Sequence, residues 1–186
     1  MPDPLASLVG VIGQLIDRLE ASGLPYALGG AVAYSAWGEP RATRDIDLNL
    51  WVEPASLDPA FDVLASAGVS LDRARARTEA LERGLFIGWH GEYRIDVFVP
   101  SIPFYAEALA RRIRVRLAGH DTWVLSPEVL AVFKMLFFRP KDLRDLERLL
   151  AVQGARFDRD FVRRSLVEML GEGAEHVVAW DELTLA

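Results

Sequence analysis

The sequence predicts an α/β (α+β) protein: a mixed β-sheet flanked by helices, followed by a helical C-terminal part. Three observations carry this. Runs of alternating apolar and polar residues read as strands up to about residue 125, apolar residues at helical spacing lie between them, and only helical patterning follows Ser126. The chain therefore divides into a core over residues 1–125 and a helical part over 126–186 packed on it. With 186 residues and 51% hydrophobic content, it is long enough for one good core and too short for two full domains.

Taken in order, Leu5, Leu8, Val9, Ile12, Leu15, Ile16 and Leu19 recur at helical spacing, and Gly23 with Pro25 ends that helix. The apolar run Leu24 to Leu28, then Gly29 and Gly30, then Ala31 to Trp37 reads as strand, glycine turn, helix. From Asp45 to Val52 the chain alternates, with Ile46, Leu48, Leu50 and Val52 on one face and Asp45, Asp47, Asn49 and Trp51 on the other. A helix about Asp58 to Ala67 follows, then a polar, arginine-rich stretch from Asp72 to Arg83. Leu85 to Trp89 and Tyr93 to Val99, separated by His90, Gly91 and Glu92, suggest a hairpin. A helix from Pro103 to Ala110 and strands at Arg112 to Leu117 and Thr122 to Leu125 complete the core. Ser126 and Pro127 then start a helix running to Phe138, with further helices at Asp142 to Val152 and Phe161 to Leu170.

The formal charge of −6 argues against a protein that coats nucleic acid through a broad basic surface. The absence of cysteine excludes disulfides, thiolate nucleophiles and Cys-based zinc sites. The N-terminal stretch lacks a basic leader and carries acids through its apolar residues, so neither a signal peptide nor a membrane span is expected, and a cytoplasmic location fits.

The chemistry-bearing pattern is the pair Asp45 and Asp47. A strand has a period of two, so both carboxylates face one side only several ångströms apart, where they repel unless a cation lies between them. Hard oxygen ligands at that spacing suit Mg²⁺ or Mn²⁺ bridging carboxylates to substrate phosphates, and a two-metal arrangement calls for a further acid. Asp96, a charge interrupting the apolar strand Ile95 to Val99, is the candidate if a neighbouring strand brings it to the pair. Alone, Asp-x-Asp also describes the solvated end of an ordinary strand. Upstream, Gly29 and Gly30 would let backbone N–H groups approach phosphate oxygens at a helix N-terminus, although a turn needing positive φ explains them equally.

The segment Gly29-Gly30-Ala31 with Arg41-Ala42-Thr43-Arg44-Asp45-Ile46-Asp47-Leu48 resembles the signature of the nucleotidyltransferase superfamily related to DNA polymerase β. It looks most like the bacterial branch of AbiEii-type toxins and minimal nucleotidyltransferases. Leu125-Ser126-Pro127-Glu128, Lys134, Arg139-Pro140-Lys141-Asp142 and Asp145 resemble the family's downstream helical motifs, extending the match over roughly residues 26–150. The resemblance implies the nucleotidyltransferase fold, an NTP such as ATP as substrate, and transfer of NMP to an acceptor hydroxyl. It implies metal binding by Asp45, Asp47 and Asp96, a phosphate contact from Lys134, and a place for Asp142 in the same cleft. Many members have Gly-Ser where this chain has Gly29-Gly30, so a hydroxyl contact to phosphate is missing.

The acceptor stays open between tRNA, a protein side chain and a small molecule such as an antibiotic, and a toxin role would add an antitoxin partner. Two other classes compete: an Asp-x-Asp glycosyltransferase, and a non-catalytic nucleotide-binding or toxin–antitoxin interaction module. Arg41 and Arg44 are secondary candidates for triphosphate, or simply neutralise the acids beside them. Thr43 reads as a turn residue. Lys134 reads otherwise as a lysine snorkelling from an apolar helix. Arg112, Arg114 and Arg116 suit either an RNA backbone or a charged edge strand. Arg73, Arg75, Arg77 and Arg83 suit either an acceptor rim or a solvated face. Trp37 and Trp51 are candidates for stacking on a base, and His90, His120 and His176 take no role.

Overall fold

A computed structural model of the chain describes residues 7–40 and 42–185; Arg41 and the first residues of the expected N-terminal helix lie outside them. Among the described residues the chain runs α1 (Leu8–Ser22), β1 (Tyr26–Leu28), α2 (Gly30–Trp37), β2 (Asp45–Leu50), α3 (Asp58–Ser66), α4 (Arg73–Arg83), β3 (Leu85–His90), β4 (Tyr93–Phe98) and α5 (Phe104–Ala110). It continues through β5 (Ile113–Leu117), β6 (His120–Val124), α6 (Pro127–Phe137), α7 (Pro140–Gln153), α8 (Arg159–Leu170) and α9 (Glu175–Leu185). No described helix is long and apolar enough to cross a membrane.

The six strands form one mixed sheet in the order β3-β4-β2-β1-β6-β5, with β1 parallel to β6, β2 parallel to β4, and the other pairs antiparallel. The expected hairpin is present: His90 pairs with Tyr93 across a Gly91-Glu92 turn. A second hairpin joins β5 to β6 through Ala118 and Gly119, both at positive φ, as a tight two-residue turn requires.

Strand period separates the faces. Ile46, Leu48 and Leu50 of β2, Ile95 and Val97 of β4 and Phe86 of β3 are buried together on one face. Phe61 of α3 meets Phe86 there edge to face, at 5.4 Å between ring centroids. The acids lie on the opposite face, under α6, where Phe137 reaches Phe98 of β4 at 6.1 Å. Ser126 caps α6 by accepting the N–H of Val129, and Pro127 occupies its first turn. Buried nearly all round, α6 packs against α2, α7, α8 and α9.

The arginine-rich stretch is helical. Asp72 accepts the N–H groups of Ala74 and Arg75, so α4 starts at Arg73, and Ala76 and Ala80 face the core. Only small residues mark its buried side, which is why apolar periodicity understates it. The last helix, α9, buries Val177 and Trp180, a stripe too sparse to stand out in sequence.

Leu15→Ala empties a fully buried position of α1 and is expected to cost about 2–5 kcal/mol of unfolding free energy. Val9→Ala, on the exposed side of the same helix, is expected to stay within about 0.5 kcal/mol. Parallel urea titrations measure the contrast.

Candidate active site

Parallel pairing of β2 with β4 sets Asp47 directly opposite Asp96 and Asp45 opposite Arg94. All three carboxylates line one cleft of about 360 Å³ on the α6 side of the sheet. Burial deepens along β2: Asp45 is exposed, Asp47 is part-buried, and Asn49 is buried with its amide 3.4 Å from the Ala27 carbonyl. Thr43 forms a local turn with the backbone of Asp45, as expected.

Burial first, then the charges of Asp96 and Asp45, push the Asp47 carboxyl from 3.8 up to about 6, against the pull of Lys134 and Arg139. Burial also raises Asp96, although Arg94 opposes the shift by donating from Nε to one of its oxygens at 2.7 Å. Arg94, in register with Asp45 on the neighbouring strand, thus holds its positive charge against Asp96.

The glycine turn makes room for this group. Gly30 has φ +50°, and a Cβ there would come within 1.7 Å of Asp47 Oδ2. At Gly29 a Cβ would approach Asn49 Nδ2 at 2.8 Å. The Gly29 N–H already donates to the Asp47 carbonyl at 2.8 Å, so it belongs to the sheet and is not free for an anion. The turn therefore lets α2 pass over the central carboxylate, and Gly30 alone of the pair lines the cleft.

Lys134 does not snorkel. It is 5% exposed, its Nζ lies 2.6 Å from Asp145 and 3.3 Å from Asp142, and it sits over the Tyr34 ring. Arg139, at the α6–α7 corner, donates to the other Asp142 oxygen at 2.5 Å. Burial would raise the Asp142 carboxyl, but the Arg139 hydrogen bond and the Lys134 and Arg139 charges outweigh it and hold it below the usual range. Lys134 and Asp142 both reach the cleft as expected, but as members of one ion network.

Arg44 lies elsewhere: fully solvated, it is 3.9 Å from Glu92 at the tip of the β3–β4 hairpin. Arg114 pairs with Glu20 and Arg116 with Asp121, while Arg112 donates to the Tyr26 carbonyl over the Trp123 ring. β5 is thus a charged edge strand with its cations engaged. Trp37 and Trp51 donate to the carbonyls of Leu125 and Tyr105 and tie the scaffold together outside the cleft. The cleft adds residues that sequence reasoning missed as site residues, Arg139 and Lys141 at its rim with Ile102, Phe133 and Phe137 as an apolar wall, and of the four arginines weighed for an acceptor rim it takes Arg83. The one signal for Arg139 and Lys141 was their position flanking Pro140, beside Asp142.

Three hard carboxylates on one cleft face, the central one raised by burial and then by its neighbours, make a donor set that fits Mg²⁺ or Mn²⁺. Asp45, Asp47 and Asp96 would hold it. Among the described residues no three His, Asp or Glu side chains are drawn to ligating spacing, and Asp96 is engaged by Arg94.

No protein-family model and no curated protein matches the sequence. Among solved structures, the solution structure of the antibiotic-resistance factor ANT(2'')-Ia matches with a TM-score of 0.63 at 17% identity, over 87% of this chain and 91% of that one. The crystal structure of ANT(2'')-Ia in complex with adenylyl-2''-tobramycin gives 0.57 at 15% identity, over 95% and 97%. The lincomycin-bound lincosamide antibiotic adenylyltransferase LnuA gives 0.50 at 14% identity, over 76% and 96%. The chain has the fold of these nucleotidyltransferases; the likeness does not single out the AbiEii-type branch.

Ionised Asp47 is disfavoured in the folded chain, so native stability falls as pH rises from about 4 to about 6, and the deficit is complete above that. Asp47→Asn is therefore expected to stabilise the protein at pH 7.5, by at most on the order of 3 kcal/mol, and to lose that advantage below about pH 4. Thermal melts of both proteins across this range check the sign.

Proposed function

We propose that the protein is a metal-dependent nucleotidyltransferase of the cytoplasm that transfers NMP from an NTP to an acceptor hydroxyl. The observation that supports this most is the convergence of Asp45, Asp47 and Asp96 from two parallel strands on one cleft whose rim carries Arg139 and Lys141. The fold likeness, including a neighbour solved with an adenylylated product, supports it independently.

The triphosphate lies on the Gly30, Arg139 and Lys141 side, where cations meet its oxygens. Lys134 acts mainly by fixing Asp142 and, through it, Arg139. The acceptor approaches from the Asp96 side. Its hydroxyl oxygen forms a bond to the α-phosphorus, the bond from that phosphorus to the bridging oxygen breaks, and pyrophosphate departs with the electron pair. Asp96, whose carboxyl is made more basic by burial than an exposed one, takes up or orients the hydroxyl proton. Asp45, Asp47 and Asp96 would hold a divalent cation, which when bound would neutralise charge on the triphosphate. Every other contribution is positioning and preorganised charge.

An Asp-x-Asp glycosyltransferase draws no support from the fold likeness, and the AbiEii-type toxin reading with an antitoxin partner rests on sequence resemblance alone.

Incubation with each α-labelled NTP, Mg²⁺ and cell extract is expected to release pyrophosphate and label an acceptor. Asp47→Asn and Asp96→Asn should each lower that rate by at least about a hundredfold, measured as pyrophosphate released by folded protein. Undiminished release by both variants would remove the carboxylates from the chemistry. Arg139→Ala is expected to raise the KM for NTP about tenfold, the loss of one charge-assisted phosphate contact.

A further inference from the structure

The cleft continues past Asp96, beyond β4, into a second lobe formed by Arg83, Leu85, Phe98, Ser101 and Ile102. Nothing in the transfer of NMP itself requires a cation there. Arg83 differs from the other arginines of α4. Arg73 pairs with Asp62 and Arg77 with Asp58, both over the Phe61 ring, Arg75 pairs with Glu79, and none of the three lines the cleft. Arg83 pairs with no acid among the described residues and lies at the cleft wall.

Its position is built into the backbone. Gly84 ends α4 at φ +67° with its N–H on the Ala80 carbonyl, and its own carbonyl receives the N–H of Val99. A Cβ at Gly84 would meet Ser101 Oγ at 2.4 Å, so the glycine also allows Ser101 to close against the helix end. The lobe thus presents a guanidinium and a hydroxyl beside an apolar surface of Leu85, Phe98 and Ile102. Ile102 is solvent-exposed, and Phe137 extends the apolar wall toward the carboxylates. Across the whole cleft the acids are Asp45, Asp47, Asp96 and Asp142, and Asp142 is neutralised by Lys134 and Arg139. No acid of this lobe is left over to receive an ammonium group.

We infer that this lobe binds the acceptor, and that the acceptor is a small hydroxyl compound with an apolar or aromatic body and an anionic group held by Arg83. This rests on the nucleotidyltransferase reading for its direction of attack, since the lobe adjoins Asp96 on the β3 side of β4, away from β2. A polyamine would meet Arg83 with like charge and find no free carboxylate outside the three at the reaction centre. A neutral apolar acceptor would leave the guanidinium unused.

The test uses the intact protein with Mg²⁺ and α,β-methylene-ATP, which occupies the triphosphate side without turnover. Two fluorescent probes of one scaffold are titrated: 1-anilinonaphthalene-8-sulfonate and the uncharged N-phenyl-1-naphthylamine. The sulfonate is expected to bind at least tenfold tighter than the neutral probe, one charge-assisted contact. Arg83→Ala should erase that preference and Arg83→Glu should reverse it. Arg75→Ala, on the same helix but paired outside the cleft, should change nothing. Equal affinity for the two probes, an unchanged preference in Arg83→Ala, or displacement of the sulfonate by the nucleotide analogue overturns the inference. Binding of the analogue itself is read separately by calorimetry: its absence would defeat the nucleotidyltransferase reading, whereas its presence with no anion preference would defeat the acceptor assignment alone.

Discussion

The structure depends on bringing like charges together in the middle of a sheet. β2 has neighbours on both sides, and its parallel register with β4 places Asp47 against Asp96 with Asp45 one pleat away. A central strand cannot shift by one residue without turning Ile46, Leu48 and Leu50 out of the core, so the apolar face fixes where the carboxylates stand. The hydrophobic effect on one side of the sheet holds an electrostatically unfavourable arrangement on the other. That is the tension a catalytic site stores when it must bind cations and phosphates.

The surroundings are organised around that tension. Gly30 removes the one Cβ that would occupy the Asp47 carboxylate's space, and α2 crosses there. Arg94 places positive charge directly on Asp96. On the far side of the cleft the charges are compensated differently: Lys134, Asp142, Asp145 and Arg139 form a network in which a buried ammonium has two carboxylate partners. A buried lysine without such partners would carry a large desolvation penalty. With them, the α6–α7 corner is fixed, and Arg139 and Lys141 are held at the rim facing the acids. A lysine that looks in sequence like a phosphate ligand is here paired with two carboxylates at the cleft wall.

The charge pattern also sets the cleft apart from the rest of the surface. Most surface arginines are engaged by acids or rings, including those of β5 and Arg73, Arg75 and Arg77 of α4. The cations that line the cleft without an acidic partner among the described residues are Lys141, on α7, and Arg83, at the end of α4. An overall negative chain thus keeps local positive potential where anions would dock.

Much of the fold was legible in the sequence because local periodicity and turn chemistry act over a few residues. Period two in Asp45 to Leu50 marked a strand with acids on one face, Gly29-Gly30 marked the turn into α2, Gly91-Glu92 marked a hairpin, and Ser126-Pro127 marked the start of α6. Helices α4 and α9 were harder, because alanines or two isolated large residues suffice to bury them. What no local pattern specified was partnership. Arg44 adjoins Asp45 in sequence yet faces Glu92, Lys134 reaches two acids 8 and 11 residues away, and Arg83 turns into the cleft while its neighbours on α4 do not. The sequence by itself determined the strands, the helices other than α4 and α9, and which side of β2 carries the carboxylates. Only the tertiary structure decided that β4 lies parallel beside it and which charges share the cleft, because strand order and ion pairing are set by packing between segments distant in the chain.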